Sequence, residues 1–516
     1  MKVTDRYLFS SKEIKKIQKE CILTNLKYNK KLDLMDNELE EYNHCQIIAS
    51  IVNEHKNVQG TLFPVYYEIL FDNINIIKHQ SLPLFLTQKN VGNFWGSVAI
   101  SENLRVNQNP NLTTLIKELF DNKYGIFSNI YKDISSIEYA MVGVEFKPFM
   151  SENTIETGYG RGKSFEEAET QAILEALERL AMYRSENKAN RYLVKDGLKN
   201  TILLQEFQKI KDEEIEFIEV YNLKSKTLEW LPKQLFIFNE KMDSLAVLET
   251  SNGMALGSTY YESLLFSLLE FIERDSFLVY WHKQITLRRV NKKSLNEQQQ
   301  NVISQFETHN KKVYLFDMRF DIDIPTILAL VISFDEKPAT YVSSASHINH
   351  TIAVDNALKE VIVAHNIYRN NPITGEKKFV KKEDVQKLSD HFNYYSGYES
   401  IELYQHLLDT EQEYDIAELF EGKPTIKTDK EAVEYILEKL SFIQDIYCCN
   451  YEMEVLNQIG FSCTKVIIPE MQTMYFGYKN RRINIKRIDQ AIDQSIYKNQ
   501  IKYEEGEFYD EPHPFP

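Results

Sequence analysis

The chain has 516 residues, with 60 basic against 76 acidic side chains and a net charge of −16, a balance that argues against a nucleic-acid binder and against docking on an anionic membrane. Its five cysteines, Cys21, Cys45, Cys448, Cys449 and Cys463, are odd in number and include no CxxC pair, which points to reduced thiols. With no apolar signal core and no apolar run of membrane-spanning length, the expectation is a soluble, cytoplasmic protein.

Residues 1–110 differ in character from the rest. A Lys/Glu-rich helical stretch comes first, then the apolar, aromatic-rich run Thr61 to Ile77, then a polar patch, Arg105 to Leu112, that sets a domain boundary near residue 110. No chemistry is legible before it. From residue 111 to 516, strand-like runs (Ser135 to Phe146, Lys312 to Phe320, Ile324 to Phe334) alternate with long helices, an α/β pattern.

The stretch Gly158 to Arg184 reads GYGRGKSFEEAETQAILEALERLAMYR. Its Gly-Lys-Ser invites a phosphate-loop reading, but that loop needs a glycine where Thr157 stands. The segment before it, with Pro148 and many polar residues, also lacks the look of a buried apolar strand. A second stretch, Leu256 to Trp281, repeats the first: Gly162, Ser164, Glu167, Glu175, Glu178 and Arg179 align with Gly257, Thr259, Glu262, Glu270, Glu273 and Arg274. This is an internal duplication. In each copy the hydroxyl residue three before the first glutamate is placed to cap a helix.

On these helices Glu175 and Glu178, like Glu270 and Glu273, share one face. They stand among leucine and phenylalanine, where an unpaired anion is expensive. Internal ion pairs, Glu175 with Arg179 and Glu270 with Arg274, explain one such helix, but two helices with one spacing need the same costly arrangement twice. Four glutamates and two arginines suit Mg²⁺ bridging to the phosphates of a nucleoside triphosphate. A degenerate third copy, Ser346 to Arg369, keeps Glu360 but has Val363 in place of the second glutamate. Its His347 and His350 read as polar turn residues, since no cysteine accompanies them. The charged stretch Asp390 to Gly422 is expected to be helical, to lie outside the α/β unit and to present its acids to solvent.

Three blocks, Tyr159 to Leu180, Thr250 to Asp275 and Cys463 to Ile483, resemble the successive signatures of the YcaO family, over roughly Asn111 to Pro516. The resemblance implies a YcaO-type α/β fold with repeated strand-turn-helix units and a small N-terminal domain. It implies ATP and Mg²⁺ as cofactors, with Glu175, Glu178, Glu270 and Glu273 as metal carriers. Arg161, Ser164, Arg179, Asn252, Arg274, Arg481 and Arg482 are the implied nucleotide contacts. Three departures are Arg161 where the family usually has Lys, Val363, and Pro469 to Gln472 where Pro-Gly is commoner. The ending Pro512 to Pro516, PHPFP, is similar to that of the azoline-forming branch. The implied reaction is ATP-dependent cyclodehydration of Cys, Ser or Thr in a ribosomally made precursor peptide: the side chain adds to the preceding amide carbonyl, the oxygen is phosphorylated, and it leaves as phosphate. Arg274 would stabilise charge, and the Pro516 carboxylate is the candidate base. Relatives that make thioamides or macroamidines, and a non-catalytic nucleotide-binding scaffold, are the alternatives. Implied partners are the precursor peptide, a ThiF-like leader-binding protein in trans and a flavin dehydrogenase if azolines are oxidised. The sequence also allows a homodimer.

Overall fold

The computed structural model describes residues 126–148, 155–184, 187–193, 214–238, 249–369, 381–420, 424–453 and 460–515, together with short stretches that include 6–9, 65–70, 75–80, 97–101 and 104–106. Pro516, Cys21, Cys45 and the Lys/Glu-rich N-terminal stretch lie outside the described residues. The run Thr61 to Ile77 contains strand β2 (Val65–Leu70), which pairs antiparallel with β1 (Arg6–Phe9) and β3 (Asn75–Gln80).

Three sheets build the rest. Strands β4 (Phe127–Asp133), β5 (Ala140–Phe146) and β6 (Glu156–Gly162) form an antiparallel meander. A second sheet has the order β10-β17-β16-β8-β7, from β7 (Ala189–Leu193), β8 (Glu214–Asn222), β10 (Met254–Gly257), β16 (Tyr447–Asn450) and β17 (Ser462–Ile467), with β9 (Thr227–Pro232) on the free side of β8. The third runs β14-β13-β12-β11-β15, from β11 (Arg288–Val290), β12 (Lys311–Asp317), β13 (Thr326–Ser333), β14 (Thr340–Ser346) and β15 (Glu413–Tyr414). Every residue of β13 and β14 is buried, as a strand covered on both faces requires.

Each sheet contributes one strand that turns directly into a long helix: β6 into α1 (Phe165–Arg184), β10 into α2 (Tyr260–Lys283) and β14 into α3 (His350–Arg369). The expected caps are present. The Ser164 hydroxyl accepts the Glu167 N–H at 3.2 Å and the Thr259 hydroxyl accepts the Glu262 N–H at 3.0 Å. In return, Glu167 and Glu262 accept the N–H groups of Lys163 and Ser258, both at 2.9 Å. The turns also show what Gly-Lys-Ser does. A strand, β6, does precede it, and its low apolar content follows from packing: a Cβ on Gly160 would lie 1.8 Å from the Ala168 carbonyl oxygen, and one on Gly158 would lie 2.4 Å from the Ala176 nitrogen. The glycines let α1 lie directly on the strand through Ala168, Ala172 and Ala176.

The three units close on one another. Helix α1 packs on its own β6 and on β10, α2 on β10 and on β14, and α3 on β14 and back on β6. Around this ring, α4 (Asp429–Lys439) lies on α2, and its first residue ties in the segment before residue 110: Asp429 accepts the Val98 N–H at 2.8 Å and the Thr259 hydroxyl at 2.6 Å. Arg105 pairs with the buried Glu262 at 3.1 Å and stacks on Phe266. The stretch Asp390 to Gly422 is broken into short helical turns rather than one helix; its acids Asp409, Glu411, Glu413, Asp415 and Glu418 are exposed, while His391, Phe392, Tyr395 and Tyr404 are buried. It is therefore wall as well as surface. Cys448, Cys449 and Cys463 are free and buried.

Candidate active site

The four glutamates lie where the first two units meet their neighbours. Each is held by a backbone donor. Glu175 accepts the N–H of Tyr159 on its own β6 at 2.6 Å, and Glu178 reaches across to the N–H of Leu256 on β10 at 2.9 Å. In the second copy, Glu270 accepts a backbone hydrogen bond from Gly253. Glu273 reaches across to β14, accepting the Ser346 N–H at 3.3 Å and the Ser344 hydroxyl at 2.9 Å. Aligned on Glu175, Glu270 and Glu360, the residues Arg161, Leu256 and Ser346 are equivalent. The second glutamate of each copy thus latches onto the same strand position of the following copy.

The internal ion pairs form but do not satisfy the set. Arg179 binds Glu175 at 2.7 Å, whereas Arg274 stands 3.7 Å from Glu270 and 3.9 Å from Glu273. Burial, then the neighbouring Glu270 and Glu175 charges, push the Glu178 carboxyl up to about 8. Burial raises Glu273 to about 8 and Glu270 to about 7 despite Arg274, and Glu360 on α3 adds a further negative charge beside both. Such a cluster is short of positive charge. Carboxylates alone suit Mg²⁺, a hard cation held by one or two carboxylates with phosphate and water completing its shell.

Some buried polar atoms at the expected nucleotide contacts have no hydrogen-bond partner among the described residues. Among the residues expected to contact nucleotide, Arg161 Nε, Asn252 Oδ1 and Arg482 Nε are buried and make no hydrogen bond, a state proteins rarely leave uncompensated. Asn252 sits in the turn before β10, and Arg482 pairs with Glu249 at 3.1 Å. Glu249 also faces the buried Lys465, which donates to the Thr250 carbonyl at 2.7 Å. Donor chemistry and orphaned atoms together fit Mg²⁺ with a nucleoside triphosphate. Ser164 is exposed and acts as the cap of α1. Arg481 is engaged elsewhere: its guanidinium lies 3.4 Å from the Tyr478 ring centre and pairs with Asp510. His347 serves its turn, accepting the Asn349 N–H at 3.0 Å, and His350 stacks on Phe420.

The last described residues are threaded through the interior. Trp281 donates to the Glu511 carbonyl at 3.1 Å and Tyr395 to that of Pro512 at 2.5 Å. His391 donates to the His513 carbonyl and accepts the Gly477 N–H, both at 2.7 Å; His513 donates to the Tyr475 carbonyl at 2.7 Å. Phe515 is 1% exposed, packs edge-on against Phe277 and lies under the Arg274 guanidinium, 4.0 Å from ring centre to Cζ. Sequence reasoning missed His391, Tyr395 and Trp281 as holders of this tail, because their partners are carbonyls over a hundred residues away.

A family model described as YcaO cyclodehydratase, ATP- and Mg²⁺-binding, matches residues 159–472. The chain belongs to the YcaO family. The match begins on β6 and spans both glutamate pairs, so this is a cyclodehydratase that binds ATP and Mg²⁺. Comparison with curated protein sequences gives no match. Solved structures share the YcaO fold at low identity. A heterocyclase in complex with substrate and cofactor is 15% identical with a TM-score of 0.72, covering 99% of this chain and 77% of its own. YcaO from Methanopyrus kandleri, bound with AMPPCP and Mg²⁺, is 16% identical with a TM-score of 0.53, over 67% of this chain and 86% of that one. The E. coli microcin synthetase McbBCD complex is 13% identical with a TM-score of 0.54, over 75% and 96%.

Proposed function

We propose that this YcaO protein cyclodehydrates Cys, Ser or Thr residues of a ribosomally made precursor peptide to thiazolines or oxazolines, with ATP consumed at each ring. The observation that carries the reading is the shared arginine: Arg274 touches the second glutamate pair on one side and Phe515 of the proline-rich tail on the other. Nucleotide site and tail therefore meet at one side chain. Bound Mg-ATP would supply the phosphoryl group that makes the amide oxygen a leaving group. Glu175, Glu178, Glu270 and Glu273 hold the metal ions, and Arg179, Arg274, Asn252, Arg161 and Arg482 orient and neutralise the phosphates. The tail, stiffened by Pro512 and Pro514, forms a fixed wall for the peptide. Heterocyclase and synthetase-complex neighbours support a peptide substrate and protein partners; a ThiF-like leader-binding protein in trans is the partner that the family resemblance implies. The test is reconstitution with a candidate peptide and partner. Loss of one water mass per ring, with phosphate released in step, is the expected result. Phosphate release with a gain of mass from sulfur exchange would identify a thioamide-forming enzyme, and peptide-independent release would remove the peptide from the reaction.

A further inference from the structure

The ring has three junctions, and two are alike. At the first, Glu178 of α1 latches to Leu256; at the second, Glu273 of α2 latches to Ser346. At the third, where α3 returns to β6, the latch position is Val363, buried and unable to accept a hydrogen bond, and the strand position is Arg161. A second exchange accompanies the first. Leu174 and Leu269 precede the first glutamate in copies one and two, and Lys359 precedes it in copy three. Lys359 and Val363 are one turn apart on α3 and face the same way. Relative to the other two, the third junction has therefore lost one acid and gained one base, while Glu360 is kept.

Arg161 Nε is buried and has no hydrogen-bond partner among the described residues. Lys359 lies within electrostatic reach of Arg161, Glu167, Asp355 and Glu360, and burial pulls its ammonium below the usual lysine range. Asn252 and Arg482, which also carry orphaned atoms, belong to the neighbourhood of the β10–β17 sheet, while Arg161 belongs to the β4–β6 sheet.

We infer that the third junction is an anion subsite, in which Lys359 with Arg161 receives the terminal phosphate of the nucleoside triphosphate. The inference rests on the reading of the glutamates as the Mg-ATP site. A nucleotide held by Asn252 and Arg482 and crossing the metal-bearing glutamates would bring its terminal phosphate to the junction that lacks a latch carboxylate and carries both Lys359 and Arg161. Lys supplies a point charge and Arg a planar fork, a pair suited to phosphate oxygens. The diphosphate lacks the group that reaches this junction, so the subsite discriminates between the two nucleotides.

The test compares Mg²⁺ complexes of a non-hydrolysable ATP analogue and of ADP by calorimetry, on the wild-type chain and on Lys359→Leu, which restores the residue of the other two copies, and Lys359→Gln. Thermal melting checks that each variant is folded. The analogue should bind either variant roughly tenfold or more weakly, the loss of one charge-assisted hydrogen bond, with ADP affinity unchanged. Equal losses for both nucleotides, or no loss for the analogue, would overturn the subsite. Failure of the underlying reading looks different: the wild-type chain itself would then bind no Mg²⁺ nucleotide.

Discussion

A carboxylate that accepts a backbone N–H is fixed in orientation, and its remaining lone pairs point where the fold directs them. Glu178 and Glu273 are held in this way by a strand of the next repeat, so the carboxylate faces proposed to bind metal are set before any ligand arrives. Glu273→Gln keeps the shape and removes the charge; it should abolish Mg-ATP turnover while the melting temperature stays close to that of the wild type. Normal phosphate release by that variant would refute the metal assignment. The raised carboxyls give a pH signature. Their folded values, about 7 for Glu270 and about 8 for Glu178 and Glu273, lie above those of the unfolded chain. Their contribution to stability is therefore complete at acid pH and is lost as pH rises through 7 to 8. The ligand-free protein should melt earlier across that window, and Mg-ATP binding at neutral pH should release protons, measured by calorimetry in buffers of different ionisation enthalpy. Zero proton release would mean that the glutamates are already ionised. Arg274→Ala should impair turnover far more than Lys163→Ala, since Lys163 is exposed and only its backbone N–H is engaged, in the helix cap. These glutamates were legible in the sequence because spacing and apolar surroundings are local properties. Lys359 was not, because its meaning depends on a strand almost two hundred residues earlier.

At the level of elements, the two repeat helices and their caps were read correctly and the glycine-rich strand β6 was not. A strand is recognised by its apolar alternation, and β6 gives up side chains so that α1 can lie on it. The stretch after Asp390 misled in another way: its charge is real, but its apolar residues serve the tail, not a helix face. Deleting Pro512 to Pro516 removes Phe515 from Arg274 and leaves every glutamate in place. ATP binding should survive, while ring formation slows by something like a hundredfold, the scale of losing substrate positioning. Full-speed ring formation by the truncated chain would exclude the tail from the mechanism. The tail also carries an acid weakness. Burial lowers His391 and His282 to about 4 from an ordinary value of 6.5, so both are neutral when folded. Stability is intact above the unfolded value near 6.5 and falls as pH drops toward 4. His391→Gln should flatten that acid loss of melting temperature, and an unchanged acid profile would place the weakness elsewhere.

For the whole molecule, the sequence showed two repeats and hinted at a third, but their closure into a ring was invisible, since it depends on α3 (His350–Arg369) meeting β6 (Glu156–Gly162), far apart in the chain. A ring of three units with two latches is an asymmetric object built from similar parts, and the asymmetry gives it a direction. The same architecture sets a mechanical tolerance. Helix α1 stands off β6 by less than one methyl group, for a Cβ on Gly160 would fall inside the Ala168 carbonyl. Gly160→Ala therefore acts as a spacer: it lifts α1 from its strand, and Glu175 and Glu178 ride on the helix as on a lever. The least chemical substitution in the chain would thus misalign the most charged part of it, and a signature that reads by eye like a phosphate loop is a gauge of clearance between a helix and a strand.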